Sequence, residues 1–367
     1  MATVAVRGGR IWSNQHFAPN KELVYTLNEK QDLVLNLRED DLILPGIIDM
    51  HAHLWAPPAI SSFGNEDMKY FADGIVGAVD CGTYGLNDWE MADRFWQNAS
   101  PIKIKSYVSV LPEGLTIFPP VNPTTPDEID IDAYAEMIGR NRETALGIKV
   151  QLGWLPYKSE ETDKKLLKIC SEVARRSGTH KMVHISGQKM MAQDSANEME
   201  AGDFITHPYS GFENTILDEN GRVYQEVFDA RDRGVLFDVG FAGKHFSWRV
   251  FRKAYEQGLK FDTLGMDLAT VNYKTPNSII IDHFHVISGL LNAEVPEEEL
   301  FTALTVNPGK ILDYVPDYQS TCLVLRKVYG ETVSVDGLGD SIPLHFEYKP
   351  VLVINRGALL QNKLQRS

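Results

Sequence analysis

In Leu42-Ile43-Leu44-Pro45-Gly46-Ile47-Ile48-Asp49-Met50-His51-Ala52-His53, an apolar run of strand length ends in two histidines one residue apart. Leu42–Met50 reads as one buried strand. In an extended chain residues i and i+2 point the same way, so the imidazoles of His51 and His53 share a face. Two convergent neutral imidazoles are a natural half of a zinc site. An isolated His-x-His is more often surface or core, and this pair gains weight from its place at a strand end.

The same pattern recurs along the chain. Short apolar runs end near Asp80 (75–80), Val110 (103–110), Lys149 (146–150), His184 (182–185), His207 (203–207), Gly240 (235–240) and Asp267 (263–267). With the first, that makes eight. The stretches between them are helical where they can be read. Residues 161–178 place Leu166, Cys170, Val173 and Ala174 on one face and stop at Gly178, and Pro296 with three following glutamates opens another helix. Eight strands alternating with helices over roughly 250 residues predict an α/β fold, a (β/α)8 TIM-like barrel, whose active sites lie at the C-terminal strand ends. A doubly wound sheet would need a Gly-rich phosphate turn after an early strand, and none is present.

The two ends differ from the middle. Residues 1–40 and 318–362 carry alternating β-branched segments such as Glu22–Leu27 and Thr332–Val335. The expectation is a small β-sandwich domain built from residues 1–43 and 318–367, with a hydrolase barrel over 44–317. Two independent β extensions are the alternative.

Composition narrows the class. A net charge of −14 over 367 residues argues against nucleic acid, which needs clustered Lys and Arg. Apolar runs are short and interrupted, so no membrane span is expected. No secretory leader is read at the start. Cys81, Cys170 and Cys322 are too few and scattered for a disulfide framework, and a cytoplasmic protein fits best. A homo-oligomer is left open.

The remaining strand ends carry chemistry. Lys149 lies in Leu146-Gly147-Ile148-Lys149-Val150, where an uncompensated ammonium would be costly. Either it snorkels to the rim, or its amine reacts with carbon dioxide to give a carbamate whose two oxygens bridge two cations. His184 and His207, taken singly, would be core histidines; with His51 and His53 they put four histidines at three strand ends. Asp267 ends the eighth strand and neighbours the first after closure, which favours it over Asp80 and Asp238. Asp282-His283-Phe284-His285 is a second His-x-His. It lies past the eighth strand, in a stretch where a helix would point the two rings about 200° apart, so it is read as no metal site.

These residues, in this order, resemble the amidohydrolase superfamily in its two-metal form, and within it the dihydroorotase-like deacetylase branch. The likeness runs from about Leu44 to Leu312. It is carried by residues 44–53, by Val79-Asp80-Cys81-Gly82-Thr83-Tyr84-Gly85, Gly147–Val150, Val183-His184-Ile185, Thr206-His207-Pro208-Tyr209-Ser210-Gly211, residues 216–223 and Phe237-Asp238-Val239-Gly240. The resemblance implies that His51, His53 and Asp267 hold an inner metal and that His184 and His207 hold an outer one. It implies that carboxylated Lys149 (N6-carboxylysine) bridges the two, with zinc the usual metal. Two cations sharing a water bring its pKa towards neutrality, and the hydroxide would attack an acyl carbonyl of a small-molecule substrate while Asp267 moves the proton. Deacetylation of a small amide or ester is the expected activity. Alternatives are cyclic-amide hydrolysis as in dihydroorotases, deamination of a heterocycle at a one-metal site, and a catalytically inactive ligand-binding barrel.

Two departures bear on substrate. Pro208-Tyr209-Ser210-Gly211 stands where the branch usually has Cys-Phe-Asn-Gly, and Gly240-Phe241-Ala242-Gly243-Lys244-His245-Phe246 where it usually has Gly-His-Gly. Tyr209, Phe241, Lys244 and His245 are therefore the candidate substrate residues. Packing of Phe241 under the loop is the competing reading.

Overall fold

The fold is that of a computed structural model, which describes residues 1–54, 67–115, 123–153, 158–242, 245–267 and 282–364. Seven parallel strands lie side by side in chain order: Ile47–Ala52, Ile75–Cys81, Lys103–Ser109, Ala145–Gln151, His180–His184, Phe204–Thr206 and Leu236–Asp238. The first four are buried along nearly their whole length, as befits a parallel sheet covered on both faces. Residues 263–267 complete the ring without forming a regular strand. Val239 N donates to Thr263 O (3.1 Å), Phe241 N to Gly265 O (3.0 Å) and, on the far side, Asp267 N to His51 O (2.6 Å).

The expected eighth strand is thus present as an irregular segment, for two local reasons. Met266 N is taken by the Asp49 carboxylate (3.0 Å), and Asp267 adopts a left-handed φ of 49°. Gly265 passes so close to the first strand that a β-carbon there would lie 2.2 Å from His51 Cβ.

The opening stretch also divides differently from its sequence reading. Pro45-Gly46 breaks it into Leu42–Leu44 and Ile47–Ala52, with Gly46 at φ +93° and a β-carbon there only 2.5 Å from Val76 Cγ1. Leu42–Leu44 pairs antiparallel with Leu323–Leu325 and parallel with Arg10 and Ile11. It therefore belongs to a six-stranded sheet that also contains Arg10–Ser13, His16–Pro19, Thr321–Val335, Ser341–Asn355 and Ala358–Asn362. A three-stranded sheet of Glu22–Leu27, Ala2–Arg7 and Leu33–Asn36 packs against it. Val4, Val6, Leu27 and Leu35 meet Ile43, Cys322, Val324, Leu352 and Ile354 in one buried cluster. Buried Asp41 receives both arms of Arg326 (2.8 and 2.6 Å), which ties the first sheet residues to the last.

Helices form where caps and periodicity allow. Ser159 caps Glu160–Ser177 by accepting from Thr162 N (3.1 Å), and Gly178 ends it at φ 64°. Asp282 caps His283–Asn292 by accepting from His285 N (2.8 Å), so the second His-x-His is helical. Among the described residues no helix is long and apolar enough to cross a membrane.

Candidate metal centre

The C-terminal ends of the barrel strands carry the site. His51 and His53 project from the end of the first strand, and one ligand atom from each lies within 4.8 Å of the other and of Asp267. His53 Nε2 stands 3.0 Å from Asp267 Oδ1, His51 Nε2 3.6 Å from the same oxygen, and His207 Nε2 3.7 Å from Asp267 Oδ2. Lys149 Nζ is 3.3 Å from His51 Nε2, and the ring of His184 is 4.3 Å from that of His207. The six residues nominated as ligands thus lie in one buried cluster.

The second nitrogen of each ring explains its orientation. His51 Nδ1 meets Thr206 Oγ1 (2.8 Å), and that hydroxyl donates to Asp238 Oδ2 (3.0 Å). His53 Nδ1 meets Thr83 Oγ1 (2.8 Å), and that hydroxyl donates to Asp80 Oδ2 (2.7 Å). A hydroxyl has one proton; having given it to a carboxylate, each threonine can only accept from the imidazole. Nδ1 therefore carries the hydrogen in both rings and Nε2 carries the lone pair. His207 repeats the arrangement with a carbonyl, Nδ1 donating to Gly240 O (2.6 Å) while its buried Nε2 has no hydrogen-bond partner. In His184 the roles of the nitrogens are exchanged: Nε2 donates to Ser186 O (3.3 Å), making Nδ1 the unprotonated atom of the neutral ring. Burial holds His51, His184 and His207 well below the usual histidine range, and the other cationic groups of the cluster push the same way.

Neutral imidazoles oriented by a carboxylate, hydroxyl or carbonyl behind them are the donor set of a metal site. The buried Nε2 of His207, without a hydrogen-bond partner among the described residues, and the Nε2 atoms of His51 and His53 turned towards Asp267 fit a divalent cation. Lys149 is 1% exposed, touches His51 Nε2 and Met182 Sδ (3.4 Å), and makes no ion pair among the described residues. Burial pushes its ammonium down.

Asp80 and Asp238, the rival carboxylates, stand behind the histidines. Asp80 also accepts from Leu54 N and Thr83 N, and Asp238 from Thr263 Oγ1 (2.9 Å). Burial pushes the Asp238 carboxyl up to about 7, against the pull of its two threonine hydroxyls. Sequence reasoning missed Thr83, Thr206 and Asp49. Asp49 accepts from His51 N (3.0 Å), Met266 N (3.0 Å), Tyr70 OH (3.0 Å) and His283 Nε2 (2.9 Å), and so fastens the first strand to the closing segment. His283 serves that carboxylate.

The candidate substrate residues separate. His245 joins the cluster: its ring lies 4.7 Å from His184 and 4.8 Å from His207, and its Nδ1 meets Ser186 Oγ (2.7 Å), which also bonds Ser210 Oγ (2.8 Å). Tyr209 and Phe241 go elsewhere. Tyr209 is fully buried, gives its hydroxyl to Leu259 O (3.1 Å) and packs on Phe251; Phe241 stacks on Phe246 (4.6 Å) beneath the loop. Both are held by an aromatic core that leaves them no open face for a substrate, so their reading as substrate residues is corrected to packing. Lys244 lies outside the described residues.

No family model matches the chain. A deacetylase of Brucella anthropi is 25% identical over 286 residues, which are 74% of this chain and 66% of the relative. The chain thus spans just under two thirds of that relative's length. A dihydroorotase structure superposes with a TM-score of 0.81 at 19% identity, covering 98% of both chains. An adenine deaminase structure superposes at 0.80 and 17% identity, covering 98% of this chain and 99% of the other. These likenesses show the fold of the barrel and its terminal sheets. The likeness in fold covers nearly the full chain, whereas the likeness in sequence runs to deacetylases.

Proposed function

We propose that the protein is a metal-dependent hydrolase that cleaves a small acyl amide or ester, in the manner of a deacetylase. The observation that carries this reading is the set of unprotonated ring nitrogens turned towards Asp267 and Lys149, each fixed by a hydrogen bond at its other nitrogen. Two divalent ions, zinc in this reading, held by His51, His53 and Asp267 and by His184 and His207, would supply an acidified water and a polarised acyl carbonyl. Lys149 would be a further ligand to them as N6-carboxylysine, formed when its neutral amine adds to carbon dioxide with formation of an N–C bond and release of a proton. That replaces a buried amine, which makes no ion pair among the described residues, by an anion with two ligand oxygens. Asp267 takes the proton of the attacking water on a carboxylate oxygen and returns it to the leaving amine or alkoxide. His245, half-exposed beside His184 and His207, faces the substrate side. The protein works on small molecules in the cytoplasm in this reading.

A second reading is cyclic-amide hydrolysis, favoured by the nearly complete overlap with the dihydroorotase. One experiment separates the two. Purified protein is loaded with Zn2+, its metal content is measured, and N-acyl amino acids, O-acyl hydroxy acids and cyclic amides are screened. About two ions per chain with turnover of the open-chain acyl compounds supports the first reading. Turnover of cyclic amides alone replaces it with the second, and protein that takes up no metal refutes both.

A further inference from the structure

The hairpin Thr321–Val335 and Ser341–Asn355 is much longer than the sheet that holds its base. Leu323–Leu325 pair with Leu42–Leu44, but the ladder runs on to Val335 and Ser341, where no third strand lies beside it among the described residues. This upper arm lies along helix His283–Asn292, with Tyr348 N donating to Ser288 Oγ (2.8 Å) and Asn292 Nδ2 to Phe346 O (2.9 Å). It ends at the active-site end of the barrel.

There the turn is organised by Asp336, 1% exposed. Its Oδ1 accepts from Leu338 N (2.9 Å) and Asp340 N (3.0 Å), which closes the turn. Its Oδ2 reaches across to Trp248 N (2.8 Å), the first residue of helix Trp248–Glu256 and three residues after His245. One residue beyond Gly337, Leu338 lies on the loop after the sixth strand: a β-carbon on Gly211 would be 2.2 Å from Leu338 Cδ1. Gly211 follows Ser210, which bonds Ser186, which in turn holds His245. The tip therefore touches both loops that carry the substrate side of the site. Neither touch is needed to close the hairpin.

We propose that the tip Asp336–Asp340 is a positioning element of the active site. Asp336 fixes the start of helix Trp248–Glu256, and with it the height at which His245 stands over the histidine cluster. Leu338 fixes the adjoining loop at Gly211. Substrate binding is thereby set from the terminal sheet, while the candidate metal ligands stand at the ends of the barrel strands.

The kinetic arm of the test rests on the acyl-hydrolase reading; the exchange arm does not. Zn2+-loaded protein and the variants Asp336→Ala, Asp336→Asn and Leu338→Ala are assayed with 4-nitrophenyl acetate, for metal content, and by hydrogen exchange over residues 241–252. Asp336→Ala is expected to raise KM about tenfold with kcat changed less than about threefold, since a displaced binding group costs ground-state and transition-state contacts alike. Metal content stays at the wild-type level and exchange over 241–252 speeds up. Asp336→Asn keeps one acceptor oxygen, which can serve Trp248 N or the two turn amides but not both, so its effect is expected to lie between those of the wild type and Asp336→Ala. Leu338→Ala shortens a side chain that is 44% exposed, leaves the fold intact and raises KM by a smaller factor. Unchanged KM and unchanged exchange in Asp336→Ala overturn the proposal, as does a loss of metal in step with the rise in KM. Should Asp336→Ala not fold, a wild-type KM in Leu338→Ala overturns it. If wild-type protein leaves the ester intact, the proposed activity has failed, and the exchange data alone decide whether the tip positions the loop.

Discussion

Replacing Thr206 by valine tests whether His51 is a ligand oriented from behind. The change keeps the branched shape and removes one hydroxyl. His51 Nδ1–H then loses its acceptor at 2.8 Å, and Asp238 loses the donor at 3.0 Å while keeping Thr263 at 2.9 Å. Two buried polar groups are each left short of a partner, at about 1–3 kcal/mol apiece. Some of this returns as the ring, now 3.5 Å from Asp238 Oδ2, moves towards the carboxylate. That movement turns Nε2 away from Asp267, so affinity for metal should fall by about 10–100-fold, the usual cost of losing a partner behind a ligand. The assay is competition for Zn2+ between apo-protein and a chromophoric chelator, with denaturant unfolding of the apo-protein alongside. Thr263→Val is the control: it removes a donor from the same carboxylate but none from His51, so it should lower stability and spare the affinity. If Thr206→Val binds Zn2+ as the wild type does, or if Thr263→Val loses as much, the carboxylate–threonine–histidine relay does not orient the ligand.

Three further outcomes follow from the site. Lys149→Ala should lose metal on elemental analysis, and short carboxylic acids should restore part of the activity by standing in for the carbamate; full metal content and activity would remove the bridge from the account. Asp267→Asn should lower turnover about a thousandfold, the scale of a lost proton shuttle, whereas Asp80→Asn, whose oxygens hold Leu54, Thr83 and through it His53, should act chiefly on stability. Steady-state kinetics beside thermal unfolding would expose the reverse pattern. Phe241→His should destabilise by about 3 kcal/mol, because it places a polar ring in a core formed with Phe246 and Trp248; a variant of unchanged melting temperature with altered substrate preference would return Phe241 to the substrate side.

Barrel strands were legible because they are buried on both faces and so appear as continuous apolar runs. Ile75–Cys81 and Ala145–Gln151 lie within a residue or so of their expected limits. The same continuity misled at Leu42–Met50, where one apolar run serves two sheets and Pro45-Gly46 marks the division. His283 and His285 were legible as a helical pair, but the bond from His283 to Asp49 spans 234 residues and no local pattern announces it. Thr206 and Thr83 escaped notice for a related reason. A threonine beside a ligand reads like any strand threonine until the fold brings a histidine from another strand to its hydroxyl. Tyr209 and Phe241 read as substrate residues because their segments depart from the resembled pattern, and a departure in sequence does not say which way a ring turns.

Backbone conformation offers an independent argument for the site. His207 and Asp267 both sit at left-handed φ, 63° and 49°, where an L residue with a branched or bulky side chain is disfavoured by about 1–2 kcal/mol. Glycine would relieve either position, and elsewhere in this chain glycine takes such angles, at Gly46, Gly178 and Gly240 among others. At 207 and 267 a glycine would remove the group that meets the cluster. His207 directly follows the strand Phe204–Thr206 and Asp267 closes the irregular eighth segment, where continued pleating would alternate the next side chain away from the barrel axis. A single left-handed residue breaks the pleat and turns both His207 Nε2 and the Asp267 carboxylate towards the same point. Strain of this kind persists only where the surroundings over-determine it. Here His207 Nδ1 is fixed to Gly240 O and Asp267 N to His51 O, each bond made to a neighbouring barrel segment. The two strained residues are thus held from adjacent segments of the closed ring, and it is closure of the barrel that presents them to each other.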